Sequence, residues 1–535
     1  MKKGSTLTPE SILFFLFSLA NLFPLFYLEF IPSLDGPAHI YNSTLLRELW
    51  FPTGTEVPAF FQINEWHFTN WTGHLLLLAF NAVLPFQWAE KLLYFLLVLG
   101  LTYSFRFFVF RQQPHNLLLT WLIFPLTWSM FVFYGFYNFV LGTIFYLLFT
   151  GIFISPKYKP RPHIYFLLFI LGILCIASHV FCFATLLMSC GFYILWTFFS
   201  QRKPTPLVPL RSLLFKGLKR IAALLLVLLP GLIVTVLLFR VGSVNMSGNY
   251  ANDLTKGDLI HKLTKLDPLI GLVRQEEMFT AKFGYILGLM TVIIIIIRMI
   301  RTRKKNSPAQ TMEKPRSKIL FSDGYFVLFI ASLTGFIIAA LWFETGKYLS
   351  ERILYMALIF LMAWICLQNV PRWFAVIFAG TALVISAGLM IIRIPVMQQQ
   401  QGPISEYTLM AKNIKSGSIV HSINFSKNWF QYHYSNYLGA EKPLVMLDNY
   451  ECDMGYFPLL WMPDKKDLRA HIKSFYPCIP DTGSDGQIYY NVLFTSGESA
   501  VCDDPSYKEF SMHLSQHYRM VSVSPSGALR LYQPI

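Results

Sequence analysis

Apolar blocks of about twenty residues alternate with short polar connections along most of the chain, and block length rather than striping is the first signal. A run of that length matches the width of a bilayer core. Read this way, spans fall near 11–31, 88–111, 116–133, 137–155, 163–178, 180–199, 221–239, 283–299, 324–343, 353–368 and 373–392, about eleven in all. The first run follows Lys2 and Lys3. It is too long for a signal-peptide core and lacks a small-residue cleavage site, so it reads as a retained helix. The stretch "NWTGHLLLLAFNAVLPF", 70–86, is apolar but short and closes on Pro85. It reads as a juxtamembrane helix inside a first outer loop, 32–87.

Near 393 the pattern changes. "MQQQQGPISEY" reads as a polar linker. Beyond it, "GSIVHSINF", "KPLVMLDNY", "QIYYNVLFT" and "ALRLYQ" read as strands, and "EYTLMAKNIK" and "SYKEFSMHLSQHY" as helices. The expected architecture is a polytopic α-helical membrane domain over 1–392 and a small soluble α/β domain over 393–535.

Composition supports lipid as the solvent. The 535 residues are 54% hydrophobic and 14% charged, where a soluble domain carries roughly 25% charge. The net charge of +15 does not point to nucleic acid, because Lys and Arg gather in short loops such as "SPKYKPRPH" and "RMIRTRKKN". That bias sets membrane orientation. It predicts a cytoplasmic N-terminus and an extracytoplasmic C-terminus in a multi-pass protein of the bacterial inner-membrane kind. Four of the seven cysteines lie in apolar blocks. No CxxC pair occurs, and Cys478–Cys502 is the pairing preferred in the polar tail. No internal repeat and no Gly-rich phosphate loop is evident.

Ionisable groups at membrane depth tend to mark function, and here most sit at the expected outer helix ends. Asp35 directly follows the first span, in "IPSLDGPAHIYN". Partial shielding from water would raise its pKa and suit it to act as a general base. The competing role is a helix N-cap before Pro37. His39 lies one helical turn on and would pair with Asp35, help bind a metal or contact a phosphate. Asp35, His39, Glu65 and His67 together are a candidate divalent-metal set, for Mg or Mn, with Glu48 and His74 in the same loop. "ETGKYLSER" places Lys347 and Arg352 on the expected outer face, either for a lipid phosphate or paired with Glu344 and Glu351. His179, at the outer turn of "CIASHVFCF", is a further candidate for binding the substrate or its lipid phosphate, the alternative being a capped turn histidine. Tyr137 and Asn138, in "YGFYN", form an aromatic edge that would stack on a sugar or belong to an interfacial belt.

The layout resembles the GT-C superfamily of integral-membrane glycosyltransferases, which includes protein O-mannosyltransferases, aminoarabinose transferases and oligosaccharyltransferases. The likeness lies in organisation over roughly 1–400: a first helix ending outside, an acid opening a long outer loop with juxtamembrane helices, about ten more spans and an outer C-terminal domain. Many members carry two adjacent acids in that loop, whereas Gly36 follows Asp35 here. The resemblance implies Asp35 as the catalytic acid residue, a polyprenyl-phosphate-linked sugar as donor, membrane lipid as surroundings, and an extracytoplasmic glycan, lipid or protein as acceptor. The rival classes are a transporter or flippase for a lipid-linked glycan, and a subunit that only holds one.

Overall fold

The computed structural model describes residues 8–535 except 66, 113, 156–157, 160, 201–209, 241–255, 306–319, 343–347, 425–427, 466–487, 494–511 and 513. Lys347 and the Cys478–Cys502 pairing therefore lie outside the described residues. Two compact units emerge. The first comprises 1–23, 96–132 and 139–394, and the second 24–95, 133–138 and 395–535. The first outer loop expected from the sequence and the C-terminal segment thus belong to the same unit.

Among the described residues, seven helices are long and apolar enough to cross a membrane: Phe86–Gln112, Val180–Thr197, Phe215–Leu238, Arg274–Arg301, Asp323–Leu341, Leu349–Cys366 and Arg372–Ala411. Four shorter apolar helices are Pro9–Ala20, Leu117–Leu126, Tyr137–Phe153 and Pro162–Ser178. Ten expected spans overlap these segments, whereas the run expected over 11–31 is Pro9–Ala20 followed by a five-residue helix, Phe23–Tyr27, and length and composition alone qualify seven. The run expected over 116–133 is a 3-10 helix, Pro114–Leu126, followed by a short helix at Met130–Phe133. Pro125 lacks the N–H that an α-helix would use there.

In the first unit, Leu349–Cys366 is the central helix, with Leu354 to Cys366 all buried. Pro9–Ala20 starts under a Thr8 cap, whose hydroxyl accepts the Ser11 N–H at 3.2 Å. It packs Phe14 against Trp121, Phe124 and Ala379. Glu10 in its first turn binds Arg106 at 2.6 Å. Arg298 pairs with Asp323 at 2.5 Å, and the Trp364 indole N–H donates to the same carboxylate at 3.2 Å.

The second unit is built on strands. They are β1 (Phe61–Ile63), β2 (Ile419–Asn424), β3 (Val445–Met446), β4 (Leu459–Trp461), β5 (Ile488–Leu493), β6 (Tyr518–Val523) and β7 (Leu529–Pro534). Five form a mixed sheet in the order β3-β2-β5-β7-β6. β2 runs parallel to β3 and β5, while β7 is antiparallel to β5 and β6. The alternation-based expectation places β2, β3, β5 and β7. It misses β6, and it misses the antiparallel β1–β4 ladder that joins Phe61 to Trp461. Three-residue strands carry too few positions for an alternation to register.

The linker expected at 397–407 is helical instead: Arg372–Gln399 runs on into Gln401–Ala411. Gln and Met are good helix formers. Gln401 is also held at both ends of its amide by the Phe30 backbone, at 2.9 Å each way.

The helix Gly36–Trp50 ends near a loop tied by Glu48. Its carboxylate accepts from the Thr53 N–H at 2.9 Å, the Thr53 hydroxyl at 2.7 Å and the Thr55 hydroxyl at 2.8 Å. Burial alone would raise the Glu48 pKa, but these bonds to Thr53 and Thr55 hold it below the usual value. A depressed folded-state pKa stabilises at neutral pH, and that stability fades as pH falls through it. Glu48→Gln is expected to cost roughly 1–2 kcal/mol near neutrality. Thermal unfolding should show the difference between wild type and variant constant from pH 7 to pH 5 and shrinking only as pH falls below the ordinary glutamate range.

Candidate functional site

The site grows from one turn in the second unit. Asp35 stands at the start of the Gly36–Trp50 helix, with Pro37 in the first turn. Its N–H donates to the Tyr134 carbonyl at 3.2 Å, and Leu34 N–H donates to Phe133 at 2.9 Å. The "YGFYN" turn therefore buttresses the acid from behind. Gly36 has no room for a side chain, because a Cβ there would run into the Ser33 hydroxyl and the Tyr137 hydroxyl. That contact accounts for glycine where an acidic neighbour was expected from the resemblance. Gly135 has φ +84°, and a Cβ on it would lie 2.8 Å from Asp35 Cβ and 2.9 Å from Gly36 N.

Asp35 holds the N-cap position, yet among the described residues its side chain makes no capping hydrogen bond. The residue is buried, its side chain 12% exposed. It faces His433, whose Nε2 lies 3.7 Å from Oδ1, and takes a hydrogen bond from the Tyr450 hydroxyl. His433 stacks on Tyr450 with ring centroids 4.3 Å apart. Burial pushes the Asp35 pKa up to about 7, with the Glu451 charge adding and His39 and Tyr450 opposing.

One turn on, His39 meets His74 and Glu451. His39 Nδ1 lies 2.7 Å from Glu451 Oε1 and 3.2 Å from His74 Nε2, which is 3.0 Å from Glu451 Oε2. All three are buried, at 4%, 1% and 0% exposed. Burial alone would strip charge from His39, but Glu451, Asp35 and the Gly135 carbonyl together raise its pKa. Burial likewise opposes the Glu451 charge, and the two imidazoles hold that carboxyl well below the usual range. Among the described residues, this is the group of His, Cys, Asp or Glu side chains spaced to share a metal ion.

The other expected residues fall as follows. Glu65 is exposed and His67 is buried, and neither belongs to that group. Tyr137 is buried, its hydroxyl 2.9 Å from that of Ser33 and also bonded to Tyr94. The Asn138 amide bridges two backbone groups, accepting from Gly73 N–H at 2.7 Å and donating to Asn70 at 3.0 Å. His179 and Arg352 come together in the first unit. The Phe139 ring centroid lies 5.6 Å from the His179 ring and 5.8 Å from the Arg352 guanidinium carbon. His179 Nδ1 accepts the Phe181 N–H at 3.1 Å, opening the next helix. Glu351 pairs with Lys262 at 2.8 Å.

Sequence reasoning missed His433, Tyr450 and Glu451. They lie about 400 positions from Asp35 and no spacing marks them; only the run "LDNYECD" hints at a polar turn.

Gly135→Ala is expected to fold with a lowered melting temperature, since left-handed backbone costs about 1–2 kcal/mol for a side-chain-bearing residue. Because the new methyl presses on Asp35, activity at this site should fall further than stability does. Parallel turnover and thermal-unfolding measurements check the split.

Seven spanning-length apolar helices among the described residues, together with the mixed sheet, define a polytopic integral membrane protein with a strand-built C-terminal part. No family model matches the sequence, and no curated protein does. Among solved structures, the chain is similar to ArnT from Cupriavidus metallidurans bound to undecaprenyl phosphate, with 10% identity over 98% of each chain and a TM-score of 0.42. It is similar also to the same protein in the apo state, at 10% identity, 98% and 97% coverage and a TM-score of 0.41. Likeness at that level assigns no role to any residue here.

Proposed function

We propose that this protein is a membrane glycosyltransferase that moves a sugar from a polyprenyl-phosphate carrier to an acceptor at the extracytoplasmic membrane surface. The observation that carries the reading is Asp35: a buried carboxyl at a helix start, not spent on capping, held between His433 and Tyr450. A carboxyl so placed can take the proton of an acceptor hydroxyl or amine as that oxygen or nitrogen attacks the anomeric carbon. The bond from that carbon to the phosphate oxygen breaks, and the prenyl phosphate leaves with the electron pair. Tyr450 and His433 orient the carboxyl. A prenyl phosphate is already an activated leaving group, so a nucleotide site is not required.

The test is turnover in vesicles. Full-length protein is reconstituted with polyprenyl-phosphate donors bearing radiolabelled sugars and an envelope-derived acceptor fraction. The expected result is label on acceptor with matching release of prenyl phosphate. Label crossing the bilayer with donor intact would make the protein a transporter, and binding without release would make it a holding subunit.

A further inference from the structure

Two ring nitrogens and a carboxylate in the second unit face one another at 2.7 to 3.2 Å, buried from water. His39 Nε2 lies 2.8 Å from the Gly135 carbonyl, and His74 Nδ1 lies 2.9 Å from the Asn70 carbonyl. A carbonyl only accepts, so each of these ring nitrogens carries the proton. With both rings neutral, as ligation of a cation requires, the other two nitrogens, His39 Nδ1 and His74 Nε2, present lone pairs to each other at 3.2 Å and to Glu451. Glu451 Oε1 is fully buried, and although His39 Nδ1 stands 2.7 Å away it accepts no well-aligned hydrogen bond. Three electron-rich atoms converge on one point.

We infer that His39, His74 and Glu451 bind one borderline divalent cation, with Zn2+ the best match. Two imidazoles and a carboxylate are a recurrent zinc donor set, and imidazole disfavours the harder Mg2+ and Ca2+. In a tetrahedral site with bonds of about 2.0–2.1 Å, neighbouring donors stand about 3.3 Å apart. The spacings here, 2.7, 3.0 and 3.2 Å, need only a slight opening.

The surroundings are those of a ligand shell. Ligating histidines generally give their second N–H to a carbonyl or carboxylate, and both do so here. The two carbonyls come from left-handed residues, Gly135 at φ +84° and Asn70 at φ 62°, so the backbone is bent to present them. The Asn42 amide donates to Glu451 Oε2 at 2.5 Å, and Asn449 donates in turn to Asn42 at 2.7 Å, which fixes the carboxylate. The cation would tie the Gly36–Trp50 helix, the Thr72–Asn81 helix and the turn at Tyr450–Asp453 into one body. Asp35 and Tyr450 sit at two of those anchor points. The three ligands are positioning residues, and their assignment stands whatever reaction Asp35 serves.

The test reads metal, not turnover. Full-length protein in detergent is stripped with chelator, dialysed against Zn2+, and assayed for bound metal by mass spectrometry. Wild type should take up one equivalent and melt at a higher temperature with Zn2+ than without. His74→Ala and Glu451→Gln should lose that equivalent, and Asn42→Ala should weaken it about 10- to 100-fold. Because removing a buried ligand can unfold the chain, Co2+ loaded into the unaltered protein gives a second reading. Visible absorption of tetrahedral Co2+, displaced by one equivalent of Zn2+, supports the site. Wild type retaining no metal, or variants retaining as much as wild type, overturns it and leaves a proton shared between the imidazoles.

Discussion

Asp35→Asn is expected to lower turnover by about 10²–10⁴-fold, the range that a positioned general base supplies, while leaving the protein folded. Asn matches Asp in size and serves a helix N-terminus about equally well. It still accepts a hydrogen bond from Tyr450 but has no basic oxygen for the acceptor proton. Donor binding should be nearly unchanged, because the loss falls on the chemical step. Tyr450→Phe should give a smaller loss through a less well-oriented carboxyl. The measurement is single-turnover release of prenyl phosphate beside circular dichroism and thermal unfolding of each variant. Asp35→Asn with wild-type turnover would end the assignment of base to this residue.

The largest stability effect is expected at Glu276 and Arg393 in the first unit. Both are buried, at 0% and 2% exposed. Arg393 donates to Glu276 Oε2 from Nε at 2.9 Å and from Nη2 at 2.6 Å, and also reaches the Leu269 carbonyl at 2.7 Å. Glu276 accepts in addition from the N–H groups of Gly271, Leu272 and Val273, at 2.9, 2.8 and 3.1 Å. One carboxylate therefore holds the irregular backbone before the Glu277–Lys305 helix and neutralises a buried guanidinium on Arg372–Gln399. Removing one partner leaves the other charge buried and unpaired, at a cost of about 3–5 kcal/mol. Arg393→Ala and Glu276→Ala should each lower the melting temperature in detergent by on the order of 10 °C. Replacing both with apolar residues should cost less than either single change. Single variants melting within a degree or two of wild type would show the pair to be dispensable.

How much of this could be read in the residues varies with the kind of signal. Block length located the apolar helices, because a span needs only local hydrophobicity. It could not count crossings, because Pro9–Ala20 and Leu117–Leu126 are too short by themselves. Asp35 and His39 were legible from their place beside a span. His74 was visible as a residue but not as a partner. Glu451 and His433 were not legible, because pairwise geometry across about 400 positions leaves no periodic trace. Gly36 carried a signal that was read as a departure from a family pattern. In space it is a close approach to Ser33 and Tyr137, which no glycine announces in one sequence. Likewise nothing in the spacing marked Lys262, about 90 positions away, as a partner of Glu351.

The β1–β4 ladder has a consequence for biosynthesis. Phe61 leaves the ribosome about 400 residues before Trp461, its partner. At roughly 5–20 residues per second, the early segment waits on the order of 20–80 seconds for its mate. During that interval an unpaired strand edge and two histidines without their carboxylate are open to other chains. A pulse-chase with a conformation-sensitive protease should find 24–95 cleavable until translation passes 461, and protected afterwards.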